Sequence, residues 1–542
     1  MMYPVVQGVS VAILFYLSWR IFEHLTTRSS LSHVPGPSRG SWWEGNFYQI
    51  FHKNAWQFHE DIMAKFGGII KVHSHFGDEQ LYVSDPLALH HIVVKDQYIY
   101  EETSAFITQN LIVFGKGLLS TLGEHHRKQR KMLNPVFSMK HMRDLLPVFY
   151  PIAHQVRDVL ARQVRSGAEE INVMQWMSRA ALEYIGQGGM GYSFEALDDM
   201  KTNEYSSAVK MFVPTSFGLI FWRQFIHHFM WISPSVRRTF VEWVPHPLVQ
   251  RFRSIVDTMH RTSVRIFEEK KAAIARGDDA VLQQVGSGKD IMSVLLRANI
   301  QADDKDQLPE DELLGQMGTF IAAGHDTTTS ALCRILHQLV LHPDVQSKLR
   351  AEVTQARRDY GDLDYDRLMS LSYLDAVCRE TLRFFPPIPL LSRTTRKDVT
   401  LPLLWPIKST DGNQIREIAL KRNTNIIISI IAANRNKTIW GQDADVWRPE
   451  RWLTPMAESN SRAQLPGVYA SMMTFMGGGR ACIGFKFAEM EMKLMLTVML
   501  ESFEFSLTRD IYWNMTGLQS PVIKGSDDLT PQLPLKVQFV KA

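Results

Sequence analysis

The stretch Phe475-Met476-Gly477-Gly478-Gly479-Arg480-Ala481-Cys482-Ile483-Gly484 sets one cysteine among close-packed glycines beside an arginine. Such backbone can approach a flat ligand closely and turn amide N–H groups toward the sulfur. A helical apolar pattern follows Gly484, carrying Phe487, Met490, Leu494 and Leu496. The positive end of that helix favours thiolate over thiol. On haem iron a thiolate donates electron density and promotes O–O cleavage. Cys333 and Cys378 are read as small buried hydrophobes instead. Three cysteines in all exclude a disulfide-stapled scaffold and a zinc site with four thiolates.

Three further constellations occur in order upstream of Cys482. They are Ala323-Gly324-His325-Asp326-Thr327-Thr328, Glu380-Thr381-Leu382-Arg383 and Pro449-Glu450-Arg451-Trp452. Together with the cysteine loop, which fits F-x-x-G-x-R-x-C-x-G at every fixed position, they resemble the signatures of the cytochrome P450 family. The resemblance runs from Pro35-Gly36-Pro37 to the C-terminus. It implies a mainly α fold with a minor β part, a long central helix over haem b (iron protoporphyrin IX), and Cys482 as the axial iron ligand. Ala323 and Gly324 are small enough for a helix to pass close to the haem face and leave room for dioxygen. Asp326 and Thr327 then supply an acid and a hydroxyl for proton transfer, as catalytic residues. Glu380 and Arg383, at i and i+3, pair on one helical face, and Arg451 completes a buried structural triad.

The resemblance also implies cations for the two haem propionates: Arg480, Arg130 and Arg393, because a planar guanidinium bonds a carboxylate in two places. His126 stands where many relatives carry tryptophan, and donates to a propionate in this reading. Phe475 opens the cysteine loop on the cofactor side. Lys128 and Lys131 form a basic face suited to an acidic electron donor.

These groups need elements to position them. A long helix is predicted from Pro309 to about Leu341, with Glu310, Asp311 and Glu312 in its first turn where acids suit the dipole, and a stop before Pro343. At 1.5 Å per residue it spans roughly 50 Å, enough to cross a whole domain. A second helix is predicted over about Tyr373–Phe385, before Pro386-Pro387. Ile69–Phe76 and Gln80–Ser84 read as a hairpin about Gly77-Asp78, and Thr424–Ala432 as an isoleucine-rich strand. Gly286-Ser287-Gly288-Lys289 is no phosphate loop, since Gln283 replaces the upstream glycine and Asp290 the metal-binding hydroxyl.

No charge occurs from Met1 through Trp19, and Val9–Leu17 is densely apolar. As a helix this stretch is roughly 30 Å long, one hydrocarbon core. Arg20 and Arg28 follow it, which puts the body on the cytosolic face. The expected organisation is therefore a transmembrane anchor over residues 1–22, a proline/glycine elbow over 23–40 and a haem-binding catalytic domain over 41–542. The expected location is the endoplasmic reticulum membrane, single-pass. A net charge of +4 in 542 residues excludes a nucleic-acid binder.

By resemblance the chain is a monooxygenase that inserts one oxygen atom of O2 into an apolar small molecule. Electrons come from NADPH through a separate cytochrome P450 reductase, since the 58 residues after Gly484 are too few for a flavin or nicotinamide domain. Two alternatives stay open: a haem-thiolate isomerase or dehydratase acting on a peroxide, and a non-catalytic haem carrier or sensor. Specificity is expected in Tyr98–Leu122, Phe212–Val244 and Ile388–Leu391. Their apolar character favours a lipid-like, terpenoid or aromatic substrate, and the overall pattern, with Thr410-Asp411-Gly412 before the isoleucine strand, resembles fungal family members, which implies a terpenoid or other secondary metabolite.

Overall fold

The computed structural model describes residues 18, 30–198, 204–277, 288–454, 463–526 and 530–541. Nine helices position the site. They are α1 (Gly123–Leu133), α2 (Met139–Arg165), α3 (Val173–Glu183), α4 (Glu204–Gly218), α5 (Pro234–Trp243), α6 (Pro247–Arg276), α7 (Glu310–Leu341), α8 (Ser372–Phe384) and α9 (Phe485–Ser502).

The central helix α7 starts and stops as its sequence predicts. Glu310, Asp311 and Glu312 fill its first turn, and His342 caps it before Pro343. Its 32 residues span about 48 Å. It is buried nearly throughout, from Leu313 to Leu339, and packs against α3, α6, α8 and α9. Its buried face joins Leu145, Phe149, Leu182, Leu374, Leu494 and Val498 in one core. A polypeptide threaded through the core this way cannot shift without repacking every layer around it.

A small sheet flanks this helical body. Its strands β1 (Ile69–His73), β2 (Glu79–Val83), β3 (Tyr100–Glu101), β4 (Leu390–Thr395) and β5 (Asn425–Ser429) run in the order β1-β2-β5-β4-β3. β1 and β2 pair antiparallel from Ile69 opposite Val83, the predicted hairpin, and Gly77 takes a positive φ of 76° in its turn. The isoleucine strand is shorter than its composition suggests. At Ser429 the side chain accepts from the Ala432 N–H, so Ile430–Asn434 turns into a helix. A second hairpin, β6 (Ile511–Asn514) with β7 (Ser520–Ile523), lies near the C-terminus.

The anchor expected over residues 1–22 lies, apart from Ser18, outside the described residues. Among the described residues no helix is long and apolar enough to cross a membrane. The end of the elbow is docked on the domain. Leu31 and Val34 are buried in the main core, and the Pro35 carbonyl accepts from the Lys71 N–H at 2.9 Å. A side chain at Gly36 would collide with the Lys71 carbonyl, so glycine is required there.

Candidate active site

Cys482 lies in the loop that leads into α9, whose N-cap is Gly484. Its thiol is exposed, whereas Cys333 and Cys378 are buried and burial pushes both of their pKa values up. The Cys482 N–H donates to the Phe475 carbonyl at 2.8 Å, which closes the loop. Phe475 packs edge-on against Tyr469. The dense protein around the Cys482 sulfur raises its pKa, opposed by the Gly484 N–H and the Arg130 charge. The helix end and the arginine therefore soften the penalty without overcoming it. Haem iron held by Cys482 would supply the remainder, since a coordinated metal ion favours the thiolate.

The loop's glycines also let it pack closely on its protein side. A Cβ on Gly477 would strike the Pro466 carbonyl, one on Gly478 the Val93 carbonyl, and one on Gly479 the Gln97 amide. Gly478 also holds φ at +67°. They let the loop close against the segment before β3, and the Gly479 N–H donates to Gln97 Oε1 at 2.6 Å.

Arg130, Arg393, Arg480 and His126 converge, as the resemblance implied. His126, 7% exposed, is pushed down to about 3 by burial and by the charges of Arg480, Arg130 and Arg393. It is neutral at physiological pH and can donate one ring N–H. Arg130 Nη1 donates to the Ala481 carbonyl at 2.6 Å, tying α1 to the residue before Cys482. A cavity of about 560 Å³ opens here, lined by His126, Arg130, Gly479 and Arg480 among others. Sequence reasoning missed two acids in this cluster. Glu101 pairs with Arg480 at 3.1 Å and Glu102 with Arg393 at 2.8 Å. Burial raises the Glu102 pKa against the pull of Arg393. No local pattern marks either acid, because each meets its arginine across roughly three hundred residues or more of chain.

On α7, Ala323 is exposed and Gly324 and Thr327 are half-buried. The Thr327 hydroxyl donates back to the Ala323 carbonyl at 2.7 Å, which leaves its oxygen lone pairs as acceptors. Asp326 does not share that face. Its Oδ1 is 2.8 Å from Nδ1 of buried His325, and His325 Nε2 lies 2.9 Å from Ser178 Oγ on α3. The acid and the hydroxyl are thus neighbours in sequence on different sides of one helix. Glu491 of α9 is fully buried near Thr328, and burial holds its carboxyl well above the usual range.

The Glu380–Arg383 pair forms as the spacing predicted. Arg383 Nη2 and Nε reach the two carboxylate oxygens at 2.7 and 2.9 Å, and Arg451 Nε approaches Glu380 at 3.4 Å. All three are buried. Arg383 also donates to the Asn434 and Ala444 carbonyls, so the triad staples α8 to the segment before the cysteine loop.

The donor set fits haem. An open thiol supplies a soft axial ligand, three guanidinium groups and a neutral imidazole suit two propionates, and the small residues of α7 can lie over a flat face. A mainly α fold with a long buried helix and a cysteine loop of this kind defines a haem-thiolate protein. The chain belongs to the cytochrome P450 family, whose description "Cytochrome P450" matches residues 35–516. It is 46% identical to cytochrome P450 monooxygenase 91 of Postia placenta over 100% of both chains. It is 47% identical to monooxygenase 81 of the same fungus, over 99% of this chain and 98% of that one. A ganoderic acid synthetase of Ganoderma lucidum is 41% identical over 98% of each. The enzyme is a P450 monooxygenase with haem as its cofactor.

Proposed function

We propose that the enzyme is a membrane-anchored monooxygenase of an apolar small molecule, of the terpenoid or secondary-metabolite type, fed by NADPH through a separate reductase. Haem, when bound through Cys482, supplies dioxygen activation. Arg130, Arg393, Arg480 and His126 hold its propionates. Thr327 orients a proton donor on the cofactor face of α7, and Asp326 passes protons inward from the adjoining face.

The open Cys482 thiol beside the Arg130–Arg480–His126 cluster is the observation that carries the reading. The substrate class draws on the apolar character of the specificity segments, where Phe114 and Phe212 bring their rings within 5.7 Å, and on the name of the Ganoderma relative. The anchor over residues 1–22 places the protein on the endoplasmic reticulum with its domain in the cytosol. Trp222, Trp231, Phe240 and Trp243 support a second membrane contact, being 69, 83, 69 and 80% exposed. Phe221 and Phe225 turn the other way, onto His75 and Phe76. Lys128 and Lys131 on α1 suit an acidic redox partner, which would take Lys131 from its 3.3 Å pairing with Asp306.

The test is reconstitution with reductase and a panel of apolar metabolites. NADPH consumption coupled to an oxygenated product supports the reading. Product without NADPH would favour the isomerase alternative, and neither would favour the carrier. Cys482→Ala should abolish the red-shifted Soret band of the reduced carbonyl complex, with Cys333→Ala and Cys378→Ala as controls that keep it.

A further inference from the structure

The arginines assigned to the haem propionates already hold acids of this chain. Glu101 ends β3 and Glu102 follows it. Around them stand Arg393 and Arg396 from the end of β4 and just beyond it, Arg480 from the cysteine loop, and Arg130 and His126 from α1. His126 is neutral, so four guanidinium groups face two carboxylates. The two propionates of haem bring the acids to four and leave no cation in excess.

Both acids are buried, at 7 and 8% exposed, but they are held differently. Glu101 Oε1 accepts from the Gly123 N–H at the start of α1, and Oε2 from Arg480 Nη2, each at 3.1 Å. Arg480 is itself tied to the Thr121 carbonyl at 2.8 Å. Glu102 Oε2 accepts from Arg393 Nη1 at 2.8 Å, and among the described residues no other donor reaches its carboxylate. Arg396 bypasses that carboxylate and donates to the Glu102 backbone carbonyl at 2.6 Å. One donor is a thin shell for a buried charge. Burial accordingly holds the Glu102 carboxyl above the usual range, against the pull of Arg393 and Arg480 and with the Glu101 charge adding to it.

This balance matters when charge arrives. A thiolate ligand offsets the net positive charge of ferric porphyrin, so an added electron leaves one negative charge uncompensated in a poorly hydrated site. We propose that Glu102 takes up the proton that compensates reduction of the haem, and so acts as a positioning residue for electron transfer. One electron from the reductase goes to the iron and one proton from solvent to a Glu102 carboxylate oxygen. The ion pair with Arg393 becomes a neutral contact, and Arg393 is left to the propionate. The cavity lined by Glu101, His126 and Arg480 opens on this cluster and admits the proton. This role for Glu102 rests on Arg393 and Arg480 holding the propionates.

The midpoint potential of the haem-loaded, full-length protein is measured by spectroelectrochemistry between about pH 6 and 9. A one-electron couple that takes up one proton falls by about 59 mV per pH unit. The wild type is expected to fall by at least half of that. Glu102→Gln should cut the slope at least in half, meeting the wild type at the acid end and lying above it at the alkaline end. Glu102→Asp, which keeps a carboxyl, should restore the slope. A wild type that falls by less, or a slope cut by less in Glu102→Gln, overturns the proposal. Where Glu102→Gln does not retain haem, the wild type alone decides. Its infrared difference spectrum should gain a protonated carboxyl band on reduction, unmoved by isotopic labelling of the propionate carboxyls. A band that is missing, or that moves with the label, overturns the proposal. Arg393→Gln should lose haem to a scavenging globin at least tenfold faster. An unchanged rate would sink the propionate reading and this role with it, whereas faster loss beside an uncut Glu102→Gln slope would sink this role alone.

Discussion

Removing the Glu380 carboxylate gives the most quantitative test of how this fold is held. In Glu380→Ala, Arg383 loses contacts of 2.7 and 2.9 Å, the Arg448 N–H one of 2.9 Å, Trp452 Nε1 one of 3.0 Å, and Arg451 one of 3.4 Å. Arg383 is 0% exposed and Arg451 7%, so neither cation can turn to water. Breaking a buried pair by removing one partner costs about 3–5 kcal/mol. A domain of about 500 residues has an unfolding entropy near 1 kcal/mol/K at about 2.1 cal/mol/K per residue, so Tm should drop by about 3–5 °C. Differential scanning calorimetry of the haem-loaded protein reads this directly. The exposed Lys437–Asp445 pair, at 2.7 Å with side chains 52 and 56% exposed, is the control. Its removal should cost under about 1 kcal/mol and move Tm by less than about 1 °C. Glu380→Gln should fall between the two, keeping one acceptor oxygen while setting an amide N–H against the guanidinium groups. If Glu380→Ala melts within 1 °C of the wild type, or the surface control moves as far, the triad does not staple the core.

Three further outcomes are expected. Thr327→Ala should keep the haem spectrum and NADPH consumption while the ratio of product to hydrogen peroxide falls about tenfold, within the usual range for acid–base groups, and Asp326→Asn should instead slow turnover; an unchanged ratio in Thr327→Ala would leave its hydroxyl as a helix back-bond to Ala323 only. His59, buried between the Tyr82 hydroxyl and the Ile50 carbonyl, is pushed down from 6.5 to about 4 chiefly by burial, so its contribution to stability is complete above pH 6.5 and is lost as pH falls toward 4. Between pH 6.5 and 5 that amounts to about 2 kcal/mol, and Tm measured at pH 7 and 5 should show a loss smaller by about 2 °C in His59→Gln; equal losses would refute the assignment. Replacing Trp222, Trp231 and Trp243 by Ser should lower the fraction bound to phospholipid vesicles by at least tenfold in protein lacking residues 1–28, since burying one large apolar side chain is worth about 1.5–3 kcal/mol; unchanged binding would remove this face as a membrane contact.

The residues whose chemistry depends on near neighbours were legible in the sequence. Cys482 with its loop and following helix, the acid-rich start and proline stop of α7, and the i, i+3 pair Glu380–Arg383 all act within one turn or one loop, where spacing alone decides geometry. What lies across the chain was not. Glu101 and Glu102 meet Arg480 and Arg393 only because β3 pairs with β4 and the cysteine loop closes on the segment before β3, and nothing near Tyr100 announces it. The glycines of the loop could be counted, yet the need for them where the chain passes under the carbonyls of Val93 and Pro466 belongs to the packing. Asp326 and Thr327 stand side by side in the sequence, while helical rotation and the packing of Ser178 and His325 send the acid to a cavity that the hydroxyl does not line. Sequence alone determines which chemistry this chain holds, because ligand type and helix period are local properties. Which groups face one another is decided by long-range burial, where each partner is selected by a surface assembled from distant segments.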